Sequence, residues 1–352
     1  MALIVQVTDL VSPYPGSFFP AMAALGRALR ARGDRMAFVA RKVAGATWHD
    51  LIREAGIDLR LVRSATQAAR VVRDLRPTVA HIHFSGYPPA VTAALWPTGA
   101  RVIWHIHSAM PGNAGALRRW RGVLRNSLFG RRVEKFVCVS TSLAEEMVRW
   151  GAPCDKVAVI TNGIDTERFR PPSPDERAAS RAALGVPGGR PAVVFFGWNE
   201  RIKGGDVLVE ALAALPHPPS IVGVKLDPKT EAALRAHGVS LTAIDRLDDV
   251  RTPLWAADTL VLPSREEGAL PFVVLESLAC GTPVVASDLP TVREGVAGLQ
   301  DVRRVPIGDP RALAAALRDL PPVTGDGRER VVAEYSNDLW TRRMCALYLP
   351  QT

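Results

Sequence analysis

The amino-acid sequence predicts an α/β protein built from two doubly wound domains. Short apolar runs alternate with amphipathic stretches along most of the chain, which is typical of buried parallel strands connected by helices. The length of 352 residues exceeds one average domain of roughly 150 residues. The alternation is interrupted over residues 169–191, where proline, glycine and charged residues concentrate. We therefore expect two domains joined by a hinge in that segment.

The first domain is expected to span residues 1–172, with the strand candidates LIVQV, MAFVA, VAHIH, RVIWHIH, KFVCVS and KVAVI. FPAMAALGRALRARG and SLAEEMVRWG have the spacing of amphipathic helices. The second domain is expected over residues 188–334, with the strand candidates AVVFFG, SIVGV, TLVLPS and TPVVASD. A helix over about 335–352 follows without a further strand, so we expect it to pack back on the first domain.

Composition limits the class of protein. Hydrophobic residues make up 47% and charged residues 22% of the chain, as in an ordinary globular protein. The N-terminal segment lacks the cationic and apolar parts of a secretory signal, and the four cysteines form no Cys-x-x-Cys pair. We therefore expect a protein of the reducing cytoplasm. The net charge of +9 favours a negatively charged partner, but no basic segment is interleaved with aromatic residues, which argues against nucleic acid.

Ligands of open α/β sheets bind outside the carboxyl ends of strands, so the residues that follow strands are the site candidates. GWNERIKGGD, residues 197–206, follows AVVFFG and places Arg201 and Lys203 ahead of a helix. Two cations and the free amides of a helix N-terminus suit a phosphate or diphosphate, although a polar surface loop explains the segment equally well. No Walker loop occurs, and no Gly-x-Gly-x-x-Gly follows the first strand, which disfavours a dinucleotide-dependent oxidoreductase.

A second candidate loop, REEGAL, follows TLVLPS and precedes a helix that is expected from Pro271 to Leu278. Its carboxylates can bind sugar hydroxyls, and the backbone amide of Leu270 can approach a ligand beside Gly268. Glu276 lies inside the apolar helix, where an unpaired carboxylate is costly. A ribose diol, an arginine and a solvated helix face are the alternatives for its surroundings.

Three segments of the first domain follow strands. Gly16 in SPYPGS lets backbone approach a phosphate. His105 and His107 alternate in RVIWHIHSAM, so both point to one face, either as hydrogen-bond donors to a sugar or carbonyl oxygen or as structural residues. Asn162 and Gly163 in VITNGIDTERFRP form a turn signature without chemistry of its own.

Together these segments resemble glycosyltransferase family 4, the retaining nucleotide-sugar-dependent enzymes of the GT-B fold. In that fold two Rossmann-like domains face each other across a cleft. The resemblance rests on PSREEGALPFVVLESLACGTPVVASD as the two-glutamate signature, VITNGIDTERFRP as the hinge segment and FFGWNERIKGGDVLVEAL as the diphosphate loop. It implies transfer from a nucleotide-diphosphate sugar to a hydroxyl acceptor, and we expect the donor to be a UDP-sugar.

The resemblance also implies a role for each candidate residue. Glu267 would contact the hydroxyls of the donor sugar, His107 would face that sugar, and Glu276 would hold the ribose. Arg201 and Lys203 would neutralise the leaving diphosphate. Gly16 would lie under the diphosphate. The remaining donor-binding positions are Glu266, Gly268 and Leu270.

The sequence departs from the family pattern at three places. Glu267 and Glu276 are one position further apart than is usual for the signature, which leaves Glu266 as an alternative sugar contact. Trp198 stands where an arginine commonly follows the glycine of the phosphate loop, with Arg201 as its candidate substitute. Ser17 completes a Pro-Gly-Ser segment where Gly-Gly is typical.

Metal and acceptor are expected as follows. The sequence contains no Asp-x-Asp, the carboxylate pair with which metal-dependent glycosyltransferases hold a divalent ion, so we expect no metal and no further cofactor. Residues 116–136 combine arginines with apolar residues, which suits either an anionic membrane surface or a surface helix packed on the sheet. The second explanation is favoured, and with it a small soluble acceptor such as a natural-product aglycone, an aminocyclitol or a sugar phosphate.

Other functions remain as alternatives. A nucleotide-sugar epimerase or a phosphorylase of the same fold would share the phosphate loops, and an epimerase would need no acceptor. A non-catalytic nucleotide-sugar-binding protein is the alternative of a different class, for which the altered phosphate loop with Trp198 is the argument.

Overall fold

Two units divide the chain, and each contains one parallel sheet. The computed structural model describes residues 1–84, 86–108, 115–245, 247 and 249–349. The first unit comprises Met1–Asp165 together with Ser336–Thr352, and the second comprises Thr166–Tyr335. The segment in which the sequence placed the hinge, residues 169–191, therefore lies within the second unit.

Within the described residues the first sheet has seven parallel strands and the second has six. The strands of the first sheet are β1 (Leu3–Thr8), β2 (Arg35–Arg41), β3 (Asp58–Val62), β4 (Val79–His83), β5 (Arg101–Ile106), β6 (Lys135–Cys138) and β7 (Val157–Val159). Those of the second are β8 (Ala192–Phe196), β9 (Ser220–Val224), β10 (Leu241–Ile244), β11 (Thr259–Leu262), β12 (Val284–Ser287) and β13 (Val302–Val305). The expected α/β class is confirmed.

The helices cover the sheets. In the first unit they begin with α1 (Phe18–Ala31), α2 (His49–Glu54), α3 (Ala65–Leu75), α4 (Pro88–Leu95), α5 (Ala116–Gly130) and α6 (Thr141–Arg149). The second unit contains α7 (Pro174–Ala183), α8 (Glu200–Lys203), α9 (Gly205–Ala213), α10 (Pro228–Ala236), α11 (Arg251–Ala256), α12 (Phe272–Ala279), α13 (Pro290–Gly295), α14 (Pro310–Arg318) and α15 (Asp326–Tyr335). The last helix, α16 (Asn337–Leu347), belongs to the first unit.

The strand order of each sheet reverses once. The first sheet runs β3-β2-β1-β4-β5-β6-β7, and the second runs β10-β9-β8-β11-β12-β13. The reversal lies between β1 and β4 in the first sheet and between β8 and β11 in the second. At such a switch point the chain leaves neighbouring strands toward opposite faces, which opens a crevice at their carboxyl ends. The loops after these four strands are therefore where each unit can hold a ligand.

The C-terminal helix completes the core of the first unit. Trp340 and Met344 of α16 and Tyr348 just beyond it are buried in the hydrophobic cluster that also contains Phe19 and Trp48. The rings of Phe19 and Trp48 stack with centroids 4.0 Å apart. Apolar packing of this kind stabilises a surface helix far more than its intrinsic propensity does.

Candidate active site

The loops after β8 and β11 lie side by side because these strands are neighbours in the second sheet. In the β8 loop, Asn199 caps α8 by accepting a hydrogen bond from the amide of Ile202 at 2.9 Å. Gly204 ends α8 and begins α9 with a φ of 70°. A Cβ at this position would collide with the carbonyl oxygen of Pro263, which follows β11. Glycine therefore permits the close approach of the two loops.

An ion pair between Lys203 and Glu267 joins the two loops. Nζ of Lys203 lies 2.5 Å from Oε1 of Glu267, and Oγ of Ser264 donates a hydrogen bond to the same oxygen at 2.8 Å. Both side chains of the pair are only 12% exposed. Charges shielded from water interact more strongly than charges on the surface, so the ammonium and the carboxylate hold each other in place. Glu266, the alternative sugar contact, is exposed.

The other groups of the β8 loop differ in environment. Arg201 is exposed, whereas Arg265, which sequence analysis did not single out, pairs with both carboxylate oxygens of Asp206 at 2.7 and 2.6 Å. Arg265 also donates to the carbonyl oxygen of Arg201 at 3.0 Å, and its hydrogen bonds hold the pKa of Asp206 below the usual range. Trp198 is 57% exposed, with its ring centroid 5.5 Å from Nζ of Lys203. A cation over an aromatic face is attracted to it.

Helix α12 carries Glu276 into the interior of the second unit. The helix begins at Phe272, and Pro271 is its N-cap instead of the expected first-turn residue. Glu276 is 6% exposed, and Leu270 at the end of the preceding loop is also buried. Burial of Glu276 excludes the solvated helix face that was one alternative for this carboxylate. Ribose binding by Glu276 stays a prediction.

In the first unit, the loop after β1 and the end of β5 lie near each other. Gly16 is exposed and has a φ of 50°, a left-handed conformation that favours glycine. Phe18, two residues later, begins α1, and its ring meets that of His107 edge-on with centroids 5.9 Å apart. His105 and His107 stack with centroids 4.2 Å apart, so the expectation that they share a face is confirmed.

Two further histidines, His81 and His83 on β4, belong to the same cluster. His83 lies opposite His105 in the sheet register. Burial lowers the pKa of His81, His83 and His105 well below the ordinary value and that of His107 to about 3, so all four rings are neutral near pH 7. Sequence analysis missed His81 and His83, although VAHIH has the same His-x-His alternation as RVIWHIH.

Asp9 and Tyr87 were also missed. Asp9 directly follows β1, and Tyr87 is the N-cap of α4 after β4. Among the described residues, Oδ1 of Asp9 and the hydroxyl of Tyr87 are buried without a hydrogen-bond partner. Burial raises the pKa of both groups. Buried polar atoms normally have a partner, so these two are available to a ligand at the switch point of the first sheet.

Comparisons with known proteins agree with this architecture. The family model "Glycosyltransferase Family 4" matches residues 21–168, and "Glycosyl transferases group 1" matches residues 190–321. A glycosyltransferase from Rickettsia africae has the same fold, with a TM-score of 0.81 and 19% identity over 99% of this chain and 97% of that one. The chain belongs to the GT-B glycosyltransferases. The resemblance to GT-B glycosyltransferases is thereby confirmed.

Other known proteins resemble this GT-B glycosyltransferase. Anabaena HepE in complex with UDP and glucose has a TM-score of 0.82 and 16% identity, with 99% of each chain covered. The D-inositol 3-phosphate glycosyltransferase of Xylanimonas cellulosilytica is 36% identical over 207 residues, which are 54% of this chain and 48% of the relative. The protein of that name from Streptomyces coelicolor is 34% identical over 58% of this chain and 52% of the relative. The chain thus spans about half the length of these curated relatives.

The arginine-rich segment of this glycosyltransferase forms α5. The sequence favoured packing of its apolar stripe on the sheet, and the structure contradicts this. Four apolar side chains of the helix are between 49% and 61% exposed: Leu117, Trp120, Leu124 and Leu128. Phe129 on the same helix packs inward, with its ring centroid 5.9 Å from that of Trp104. None of the helices in the described part of the chain is long and apolar enough to cross a membrane.

Proposed function

We propose that this glycosyltransferase transfers a sugar from a nucleotide-diphosphate sugar to a hydroxyl of a small soluble acceptor and retains the anomeric configuration. The partly buried pair of Lys203 and Glu267 at the switch point of the second sheet carries the proposal. An ammonium group suits the negative charge of a diphosphate, and a carboxylate accepts hydrogen bonds from sugar hydroxyls.

In the proposed reaction, the bond between the anomeric carbon and the diphosphate oxygen breaks while the acceptor oxygen bonds to that carbon. Negative charge grows on the diphosphate, and Lys203 and Arg201 stabilise it. The departing phosphate oxygen takes the proton of the acceptor hydroxyl. Glu276 binds the ribose of the donor, and His107 hydrogen-bonds the reacting substrate.

We propose that the reaction needs no metal ion, because protein cations neutralise the leaving group. Turnover should be unchanged after dialysis against EDTA and assay in the presence of the chelator. Loss of turnover in EDTA that manganese restores would contradict this proposal.

The comparisons suggest which substrates to test first. Anabaena HepE has been solved with UDP-glucose, which supports a UDP-sugar as the first donor. The relatives named D-inositol 3-phosphate glycosyltransferase support a phosphorylated cyclitol as the first acceptor. The unpartnered polar atoms of Asp9 and Tyr87 are candidates to bind the acceptor hydroxyls.

Thermal stability with each nucleoside diphosphate, followed by transfer assays with the matching sugars, tests the proposed function. NMR of the product reports the anomeric configuration. Lys203→Ala should abolish both the thermal shift and transfer, and Glu267→Gln should abolish transfer. Glu210→Gln, which changes an exposed carboxylate on α9, should retain both. Conversion of donor without an acceptor would instead indicate an epimerase, and a thermal shift without turnover would indicate a non-catalytic binder.

We also propose that α5 contacts an anionic membrane surface. Its exposed apolar stripe is flanked by exposed arginines at positions 118, 119 and 121, and basic helices of this kind bind anionic lipid. The wild type should co-sediment with phosphatidylglycerol vesicles at low salt but not with phosphatidylcholine vesicles. Trp120→Ser should weaken this binding, and Val148→Ser, at an exposed apolar residue of α6, should not. Absence of binding by the wild type would refute the contact.

A further inference from the structure

A chain of hydrogen bonds connects His107 to the C-terminal helix through the interior of the first unit. Nε2 of His107 lies 3.0 Å from Nδ1 of His83, and Nε2 of His83 lies 2.8 Å from Oε1 of Gln6 on β1. Nε2 of Gln6 donates to the hydroxyl of Tyr348 at 2.8 Å, and that hydroxyl lies 2.6 Å from Nδ1 of His81. Apart from His107, these side chains are at most 4% exposed.

The amide of Gln6 determines which group donates at each bond of this hydrogen-bond chain. In this orientation of the Gln6 amide the oxygen faces His83 and can only accept, so His83 carries its proton on Nε2 and donates it to Gln6. A neutral imidazole has one donor and one acceptor, which leaves Nδ1 of His83 as an acceptor. Nε2 of His107 must then be the donor of the bond between the two rings.

At the other end of the hydrogen-bond chain, the hydroxyl of Tyr348 fits the same order of donors and acceptors. Its oxygen accepts from the amide of Gln6, so its own proton is free to be donated to Nδ1 of His81. Burial raises the pKa of the Tyr348 hydroxyl, which keeps that proton in place. Turning the amide of Gln6 over would put its NH2 group against Nε2 of His83 and would reverse every bond of the chain.

Aromatic contacts fix the plane of the His107 ring. Phe84 stacks on it with centroids 4.4 Å apart and an angle of 26°, and His105 stacks at 4.2 Å and 23°. Phe84 has a φ of 63°, an uncommon and strained conformation for a bulky residue. The surrounding structure therefore maintains a strained backbone at the residue that stacks on His107.

We propose that Gln6 and Tyr348 are positioning residues that hold His107 in the Nε2–H tautomer and leave its Nδ1 as an acceptor for a substrate hydroxyl. This inference rests on the proposed function, in which His107 hydrogen-bonds the substrate, and it adds the direction of that bond. His107 accepts a hydrogen bond from the hydroxyl that it contacts and does not donate one to it. Tyr348, at the end of the C-terminal helix, thus acts on His107 through two intervening side chains, Gln6 and His83.

The same histidines do not form a metal site in this arrangement. Potential ligand atoms of His81, His83 and His105 lie within 4.8 Å of one another, but their ring planes do not converge on one point. The three rings are stacked with angles of 14° to 30°, and imidazole lone pairs lie in the ring plane. Convergence on one ion would require ring rotations that break the bonds to Gln6 and Tyr348.

The tautomers can be read directly by long-range 1H–15N NMR on protein labelled with 15N-histidine. In the wild type His107 should show a protonated Nε2 and an unprotonated Nδ1, and so should His83. Tyr348→Phe removes the acceptor that holds the Gln6 amide, so the Nδ1–H form of His107 should appear. Tyr87→Phe removes a buried hydroxyl of the same unit that has no hydrogen-bond partner among the described residues, and it should leave the His107 signals unchanged.

Activity separates this inference from the proposed function. Tyr348→Phe should lower kcat about 10- to 100-fold, the range seen when a group that orients a functional histidine is lost, with a change in KM of less than about threefold. A wild-type His107 in the Nδ1–H form, or tautomers and kcat that do not respond to Tyr348→Phe, would overturn the inference. If the wild type has the stated tautomers but transfers no sugar, the proposed function is refuted and the inference about the tautomers is not.

Discussion

His105 lies on β5, is 1% exposed, and has no hydrogen-bond partner for either ring nitrogen among the described residues. Burial, together with the neighbouring His107 and His83, lowers its pKa well below the ordinary value. Unfolding exposes the ring to water and restores a pKa of about 6.5. Below that pH the unfolded chain therefore binds one proton more than the folded chain does. Stability must rise with pH through this window and fall as the solution is acidified.

Replacement of His105 should reduce this pH dependence. In His105→Leu the free energy of unfolding of the first unit should change by about 1.4 kcal/mol less per pH unit between pH 6 and pH 5 than in the wild type. Urea denaturation at several pH values measures the slope. His237→Gln, which changes an exposed histidine of the second unit, should leave it unaltered. Equal slopes for His105→Leu and wild type would show that His105 takes up its proton in the folded state.

The relative positions of side chains were predictable from sequence where both residues belong to one strand. The shared face of His105 and His107 follows from alternation within β5 alone. The pair of Lys203 and Glu267 joins residues 64 positions apart, and only the adjacency of β8 and β11 brings them together. Their roles as ligands of a donor stay predictions. The hydrogen-bond chain was not predictable, since Gln6 and Tyr348 are 342 positions apart.

At the scale of elements, the junction of α8 and α9 depends on one residue. Gly204 has a φ of 70° and faces the backbone of Pro263, whereas Gly238, after α10, has a φ of 64° and open space where a Cβ would lie. Alanine in the left-handed conformation costs about 1–2 kcal/mol at either position. Only at Gly204 is a collision with backbone added, and backbone cannot rotate away as a side chain can.

Gly204→Ala should therefore destabilise the second unit by more than Gly238→Ala. The difference in the free energy of unfolding between the two variants, measured by chemical denaturation, isolates the collision because both share the conformational cost. Gly204→Ala should also displace Lys203 from Glu267 and weaken nucleotide binding, while Gly238→Ala should not. Equal destabilisation by the two substitutions would contradict the close approach of the β8 and β11 loops.

The strands that sequence analysis missed are β3, β10 and β13, and each lies at the edge of its sheet. Their residues are mostly half-buried, so no continuous apolar run marks them. Central strands such as β4 and β9 are buried at every position and were predicted with their observed bounds. The apolar-run signal is therefore strongest for strands buried on both faces. The edge strand β7 was nevertheless predicted from KVAVI, although its residues are half-buried or exposed.

At the scale of the whole molecule, the chain passes from the first unit to the second after Asp165 and returns at Ser336. The first crossing lies before the proline-rich segment, since α7 within that segment packs in the second unit. Ser173 and Glu176 cap α7 reciprocally, and Arg177 pairs with Asp258 at 2.6 Å. A break in the strand pattern therefore located an irregular segment but not the unit boundary, because irregular chain can belong to either side of a boundary.

Two units with separate cores should respond separately to nucleotide, which hydrogen exchange can detect. If UDP binds the second unit, the ratio of unfolded to folded second unit falls by the factor 1 + [UDP]/Kd. At a UDP concentration of 100 times Kd, this stabilises the unit by about 2.7 kcal/mol. Exchange should then slow in peptides that cover residues 197–206 and 263–276, and in the second unit generally, while amides of β2 in the first unit keep their rates. Lys203→Ala should remove the effect. Protection confined to the first unit would mean that the diphosphate binds at the β1–β4 switch point instead, and the assignment of the donor to Lys203 and Glu267 would be wrong.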